Sequence, residues 1–371
     1  MSSPPPTWIE IDLEAIQSNF RAIRSLVSPA KVISIVKADA YGHGAIPVAK
    51  ALRQAGTEFL GVASLDEALE LRDSGLDVPV LIVGPLLGTE VEEAVSAGFR
   101  ITVYCESIAV EAGKAAQKLG RIALAHVKID TGMGRIGVPV EEGEEFVRLV
   151  QSQPQVTVEG ILTHFASADC DQAFTVEQFS KFKHLLQRLS DSGVNVPLAH
   201  AANSAAIFNL PESHLQAVRP GLALYGVSPS PERPPVELRP ALSLRTTVVL
   251  IKSVPAGFSV SYGRMHRTSR PTRLATLPLG YRHGLHRSLS NLGEVLIRGS
   301  RAPMVGRICM DQMMVDAGEV PEARVGDVVT VYGSDGDERV GVEEVSQRAQ
   351  TIPYELLCAL DKRIQRVYLP R

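Results

Sequence analysis

Lys37 is the residue with the clearest capacity for chemistry in this sequence. It follows an apolar run at 31–36 and lies in the stretch VKADAYGHG at 36–44. A lysine closing a buried strand is costly to desolvate. Desolvation lowers its pKa and makes the amine a Schiff-base nucleophile. Taken alone, a lysine at a strand end is more often a surface residue, so the weight falls on its company. Lys128 opens KIDTGMGR (128–135), His164 follows the run 156–162, Asn203 and Ser204 end HAANS (200–204), and Arg219 opens RPG (219–221), with Tyr225 close behind. Ser204 and the 219–221 turn could offer a phosphate a hydroxyl and backbone N–H groups, although Asn203 or Ser204 also suits an ordinary helix cap. Arg135 follows a glycine-punctuated loop, where its forked donors suit a carboxylate or a phenolic oxygen. An exposed loop arginine is the plainer alternative.

The elements that must position these groups are legible as a pattern. Apolar, β-branched runs at 31–36, 59–62, 79–83, 100–103, 122–129, 156–162, 197–200 and 216–219 alternate with helical periodicity at 46–55, 65–74, 91–97, 109–119, 142–151 and 176–192. Continuous apolar strands separated by helices indicate a parallel sheet, and eight of them close a (β/α)8 TIM-like barrel. Reactive groups in such a barrel sit where strands end, at one mouth, and the polar residues named above hold those positions. A doubly wound open sheet is the competing reading, but no G-x-G-x-x-G turn follows the first strand.

Five prolines between 229 and 240 mark a linker. Beyond it, strand-like runs at 243–253, 273–279, 294–298, 304–309, 313–315 and 328–331 indicate a mostly-β C-terminal domain, with short helices at 342–349 and 354–360 and a closing strand near 364–369. The expected organisation is an N-terminal strand within 1–11 that joins this second domain, a barrel over 12–230, and the β-rich domain over 231–371.

Two fragments of the second domain are sharper: VSYG at 260–263 and VGRICMD at 305–311. Together with VKADAYGHG (36–44), KIDTGMGRIG (128–137), THFA (163–166), ANS (202–204), VRPG (218–221), YG (225–226) and YE (354–355), they closely resemble the alanine racemases of the pyridoxal-phosphate barrel class. The resemblance runs from about Trp8 to the C-terminus. It implies interconversion of L- and D-alanine on pyridoxal 5'-phosphate, with D-alanine destined for peptidoglycan.

The roles it implies are specific. Lys37 resembles the lysine that bonds to the cofactor and serves as one base. Tyr262 resembles the opposing base, delivered from the other subunit of a homodimer with shared active sites. Arg219 matches the arginine facing the pyridine nitrogen, His164 the residue beside the ring. Tyr41, Ser204, Gly221, Leu222 and Tyr354 match phosphate contacts. Arg135, Met310 and Asp311 resemble substrate-binding residues, Tyr281 a gate at the entrance, and Lys128 a lysine carbamylated to hold Arg135. Two bases on opposite faces are the simplest way to invert an α-carbon. Lysine and tyrosine have similar reference pKa values, near ~10, so neither direction is strongly favoured. Two departures stand out: Asp39 where asparagine is frequent, and Arg282-His283 within GYRHG (280–284) where the family often has Ala-Asp.

Other readings compete. One is a racemase for serine or a broad set of amino acids, although Tyr262, Tyr281, Tyr354 and Met310 would leave a narrow pocket. A decarboxylase of the same architecture would be expected to set an acid, not Arg219, at the ring nitrogen. A lone-barrel cofactor-binding protein would not need the second domain. Composition excludes broader classes. The formal net charge is −3 over 371 residues, without the basic stripe of a nucleic-acid binder, and no apolar run approaches the ~20 residues of a membrane span. Four scattered cysteines, Cys105, Cys170, Cys309 and Cys358, give neither a metal site nor a disulfide framework. Residues 1–6 lack a secretory pattern, so a cytoplasmic location is expected.

Overall fold

The computed structural model describes residues 6–230 and 233–370; the sequence readings at 1–5, at Pro231 and at the 230/231 boundary lie outside or on the edge of that range. The chain divides into two compact units. One comprises Ile16–Ala40 and Ala45–Arg239; the other takes the described residues up to Ala15, Tyr41–Gly44, and those from Pro240 onward.

The first unit is a closed parallel barrel. Its strands are Lys31–Ile35, Phe59–Val62, Val80–Ile82, Arg100–Val103, Ala123–Asp130, Val156–Leu162, Leu198–Asn203 and Ala217–Arg219. Each pairs in parallel with its neighbour, and pairing of Ala217–Arg219 with Lys31–Ile35 and of Arg100–Val103 with Ala123–Asp130 completes the ring. Val32, Ile33, Leu60, Ile82, Ile101, Val127 and Ile161 have almost no solvent exposure, as strands covered on both faces require. The helices follow the usual end rules. Ser64 caps Leu65–Asp73 through its hydroxyl, and Glu106–Leu119 stops at Gly120 in the left-handed region. Helices Leu13–Val27 and Ser204–Asn209 were absent from the sequence reading.

In the second unit, Thr7–Asp12 pairs antiparallel with Leu242–Thr247 and parallel with Gln365–Leu369, in a sheet that also holds Glu294–Ile297, Ser300–Pro303, Val328–Asp335 and Glu338–Val340. A three-stranded sheet is formed by Leu250–Val254, Thr272–Leu277 and Met313–Asp316. Two expectations are corrected here. The run 243–253 is two strands in different sheets, because the chain crosses between them at Val248 and Val249, whose N–H groups donate to Asp327 O and Thr276 O. The run 304–309 is not a strand: Met304 bridges Val315 and Val305 N donates to Met314 O, but Gly306 N and Ile308 N go to the side-chain acceptors Asn291 Oδ1 and Ser290 Oγ. Among the described residues no helix is long and apolar enough to cross a membrane.

Candidate active site

Lys37 stands at the start of an unusual turn. Ala38, Asp39, Ala40 and Tyr41 all have φ of 53–54°, a left-handed stretch that L-residues adopt at a cost of roughly 1–2 kcal/mol each. Three contacts impose it. Ala40 N donates to Val36 O at 2.9 Å, and Ala45 N donates to Asp39 Oδ1 at 2.8 Å. Glu67 takes Ala38 N on one carboxylate oxygen and Ala63 N on the other, each at 2.7 Å. Asp39 thus does what an asparagine would, being short, polar and tolerant of the left-handed region. The turn delivers Tyr41, which is buried, with its ring centroid 5.7 Å from that of Tyr354.

Arg219 ends its barrel strand and is 5% exposed. Its Nη1 donates to His200 Nδ1 at 2.8 Å and His200 O at 2.9 Å. Its Nη2 donates to Thr163 O at 2.7 Å, Ala201 O at 2.9 Å and His164 Nδ1 at 3.3 Å. Both terminal nitrogens are therefore spent on the barrel; among the described residues Nε–H has no acceptor. Burial pulls the guanidinium down to about 9, which still leaves it protonated at neutral pH. Nearby, Ser204 Oγ accepts from Gly221 N at 2.9 Å and Ala223 N at 3.3 Å. With both lone pairs engaged, the hydroxyl keeps its proton for donation to another group. Leu222 is buried and opens the short turn Leu222–Tyr225.

Lys128 lies inside the barrel end with 4% exposure. Burial pushes its amine well below the ordinary lysine range, Arg219 and Arg135 push the same way, and Asp130 opposes them. No hydrogen bond or ion pair among the described residues engages its Nζ. His164 is likewise held neutral, by burial first and then by Arg219, Lys128, Arg135 and Lys37. Arg219, Arg135 and Lys37, with the Lys128 amine, thus act electrostatically on one neutral imidazole. Arg135 itself is exposed, on a loop organised by Asp130, whose carboxylate accepts from Gly132 N, Met133 N and Gly134 N at 2.8–2.9 Å.

In the second unit, Tyr262, Tyr281, Met310 and Asp311 form a group of their own. Ser261 has φ 62° and ψ −175°, a region nearly reserved for glycine. It is pinned by Oγ donation to Arg307 O at 2.6 Å. Gly306 permits this approach, since a Cβ there would lie 2.8 Å from Ser261 Cβ. The next residue, Tyr262, is 71% exposed. Tyr281 N and Arg282 N donate to Cys309 O and Met310 O, and Arg282 pairs with Asp311 at 3.2 Å. The Arg282 departure is therefore tied directly to the Met310-Asp311 segment.

The sequence reading missed Asp130, Glu67 and His200 as supporting groups. His200 was visible only as the polar end of an apolar run; Asp130 carried a readable signal, an Asx residue opening a glycine loop.

Residues 11–229 match the family model for the alanine racemase N-terminal domain, and residues 241–368 that for the alanine racemase C-terminal domain. The alanine racemase of Halothermothrix orenii is 44% identical over 366 residues, spanning 98% of this chain and 97% of that protein. The crystal structure of alanine racemase from the D-cycloserine-producing Streptomyces lavendulae is similar with a TM-score of 0.94 at 38% identity, spanning 100% of this chain and 98% of that one. Alanine racemase from Bartonella henselae with covalently bound pyridoxal phosphate is similar with a TM-score of 0.89 at 31% identity, spanning 99% and 100%.

Proposed function

The chain belongs to the alanine racemase family, and from that premise we propose that it works by two bases, Lys37 and Tyr262, on a pyridoxal phosphate cofactor held at the barrel mouth. The chain is an isomerase that interconverts L- and D-alanine. The observation that carries the mechanistic reading is the buried Arg219 guanidinium at the barrel end, 3.3 Å from His164 Nδ1, with Lys37 and Arg135 acting beside it on that neutral imidazole. Such a site favours anions, and both a cofactor phosphate and a substrate carboxylate supply them.

The residues present fit this cofactor. The unspent Nε–H of Arg219 is an obligate donor and suits a ring nitrogen that carries no proton. The Ser204 hydroxyl, with Gly221 and Leu222 beside it, suits a phosphate, and the resemblance assigns Tyr41 and Tyr354 to the same phosphate. Lys37 would hold the group covalently in the resting enzyme. When bound, the cofactor would draw electron density from the substrate α-carbon and make its proton acidic. Because Arg219 cannot hand a proton to the ring, that withdrawal stays moderate, which favours reprotonation over transamination. Lys37 takes or returns the α-proton on one face, and Tyr262 of the partner subunit does so on the other. Arg135 would bind the alanine carboxylate, Met310 of the partner subunit and Asp311 of the partner subunit would lie beside the substrate, and Tyr281 would gate access.

Exposure supports the homodimer. Tyr262 (71%), Met265 (58%), Met310 (53%) and Tyr281 (42%) leave large apolar surface uncovered on the second unit, where a second copy would bury it. Four cysteines scattered without a C-x-x-C pair support a cytoplasmic setting.

Lys128 is the group we assign to carbamylation. Its neutral amine attacks carbon dioxide, forming an N–C bond and releasing one amine proton. The anion so made would reverse the local charge beside Arg135 and Arg219. Hydrogen bonds to charged groups contribute about 1.5–3 kcal/mol, so Lys128→Ala is expected to lower kcat/KM on the order of tenfold to a hundredfold. A carbamate carbonyl signal should appear with 13C-bicarbonate in the parent protein and vanish in the variant. A signal that survives the substitution, or full activity without Lys128, contradicts the assignment.

The test of the whole reading uses purified protein, added pyridoxal phosphate and L-alanine in deuterated water. D-alanine carrying solvent label at the α-carbon is expected. Label without inversion would show that the second base is missing, and neither signal would overturn the two-base reading.

A further inference from the structure

Behind Arg219 runs a buried polar line that the mechanism above does not use. His200 accepts at Nδ1 from Arg219 Nη1 at 2.8 Å. A guanidinium has only donors, so His200 must carry its proton on Nε2. That nitrogen lies 2.8 Å from His126 Nδ1, which must therefore accept, leaving the His126 proton on its own Nε2. The latter meets Glu159 Oε2 at 3.0 Å. Glu159 is clamped in turn by Arg100, Nε to Oε2 at 3.0 Å and Nη2 to Oε1 at 3.2 Å. The two ends dictate every role between them: donors at Arg219, an acceptor at Glu159, and a single orientation of both imidazoles.

The barrel is built around this line. Arg100, His126, Glu159, His200 and Arg219 come from five different strands. Both histidines are completely buried, with ring centroids 5.0 Å apart in an edge-on arrangement. The pairing register shifts between Ala125 and His126, opposite Glu159-Gly160. A Cβ at Gly160 would lie 2.4 Å from His126 Nδ1, so the absent side chain is what admits the ring. Burial lowers both histidines below their ordinary range. Burial alone would raise Glu159, but hydrogen bonds from His126 and Arg100 hold it down to about 2. The line thus stays neutral–neutral–anionic over the working pH range. Buried polar groups of this kind are costly unless fully satisfied, and when satisfied they fix one geometry.

We propose that Glu159 and His126 are positioning residues for racemisation: the carboxylate fixes the tautomer of both histidines, and His200 so fixed holds the Arg219 guanidinium with its Nε–H free for the cofactor ring nitrogen. The proposal rests on the reading that Arg219 faces that nitrogen. Glu159 touches neither substrate nor cofactor and acts only through the line.

The test uses the cofactor-loaded enzyme with 15N-histidine and, separately, with pyridoxal phosphate labelled with 15N in the ring. In the parent protein, His126 and His200 are expected to show a proton on Nε2 and none on Nδ1; a protonated Nδ1 on either overturns the proposal before any variant is made. Glu159→Leu removes the acceptor. It is expected to mix the His126 tautomers, move the ring-nitrogen signal, and lower kcat on the order of tenfold, as loss of an outer partner does at other sites, with KM little changed. Glu159→Gln keeps an acceptor oxygen and should restore most of kcat, which also covers a poorly folding leucine variant. Unchanged tautomers and kcat in both variants overturn the proposal. Arg219→Lys separates the two levels: if it moves the ring-nitrogen signal and Glu159→Leu does not, only the role of Glu159 fails. If neither moves it, the placement of Arg219 at the ring fails first.

Discussion

Tyr262→Phe is expected to abolish removal of the α-proton from L-alanine while exchange from D-alanine continues. The substitution deletes one oxygen and keeps the ring. The backbone that presents the ring is set without that oxygen: Ser261 is held at φ 62° by its bond to Arg307 O and by the space that Gly306 leaves. Losing a general base costs about 10²–10⁴-fold, so L-to-D turnover should fall into that range. In deuterated water, D-alanine should still gain label through Lys37, without inversion, and cofactor content should not change. Undiminished L-to-D turnover would remove Tyr262 from the mechanism. Equal loss of exchange from both isomers would mean that the two bases do not act independently on separate faces.

How much of this was legible in the sequence depends on where each constraint originates. The eight barrel strands could be read because a strand buried on both faces is a continuous apolar run, and its ends are marked by the first polar residue. That is why Lys37, Lys128, His164, Ser204 and Arg219 stood out together. The left-handed turn at 38–41 could not be read. Ala-Asp-Ala-Tyr has no glycine, and its conformation is supported by Glu67, 29 residues from Ala38. The split of 243–253 was hidden for a similar reason: Val248 and Val249 are apolar, and only the two sheets they pass between cause the break. Residues 304–309 carry the composition of a strand, yet the N–H groups of Gly306 and Ile308 are taken by the side chains of Asn291 and Ser290.

The supporting groups form a second class of unreadable residues. His126 sits in Ala-His-Val-Lys, where a histidine between apolar neighbours has no periodic signal. Its significance appears only when the fold places it between His200 and Glu159. The resemblance to known racemases nominated groups for cofactor and substrate, and geometry was needed to find what holds them. Arg219 joins the two levels. Its type argues for a ring nitrogen left unprotonated, which fits racemisation better than decarboxylation. Its direction depends on acceptors gathered from the ends of two other strands, Thr163 O and His164 Nδ1 from one and His200 and Ala201 O from the other.

Lys37→Ala is expected to eliminate covalent attachment of pyridoxal phosphate and to reduce racemisation by 10³-fold or more, an order-of-magnitude loss for removing both the anchoring amine and one base. The turn should survive, because the left-handed residues begin at Ala38 and their supports come from Val36, Asp39 and Glu67. Borohydride reduction followed by peptide mapping should place the cofactor on the 37-containing peptide of the parent protein and on no peptide of the variant. The informative competitor is Lys128. Burial and the charges of Arg219 and Arg135 favour its neutral, nucleophilic form in the same barrel end, so its lowered pKa alone would nominate it. Geometry separates them: Lys128 is 4% exposed within the barrel strand, whereas Lys37 follows its strand and is only partly buried, as a lysine that must reach a bound aldehyde requires. Cofactor retained covalently in Lys37→Ala and mapped to Lys128 would exchange the two assignments. Partial recovery of turnover with added methylamine, and none in a Lys37→Ala/Tyr262→Phe double variant, would show that the missing amine at position 37 is what the reaction lacked.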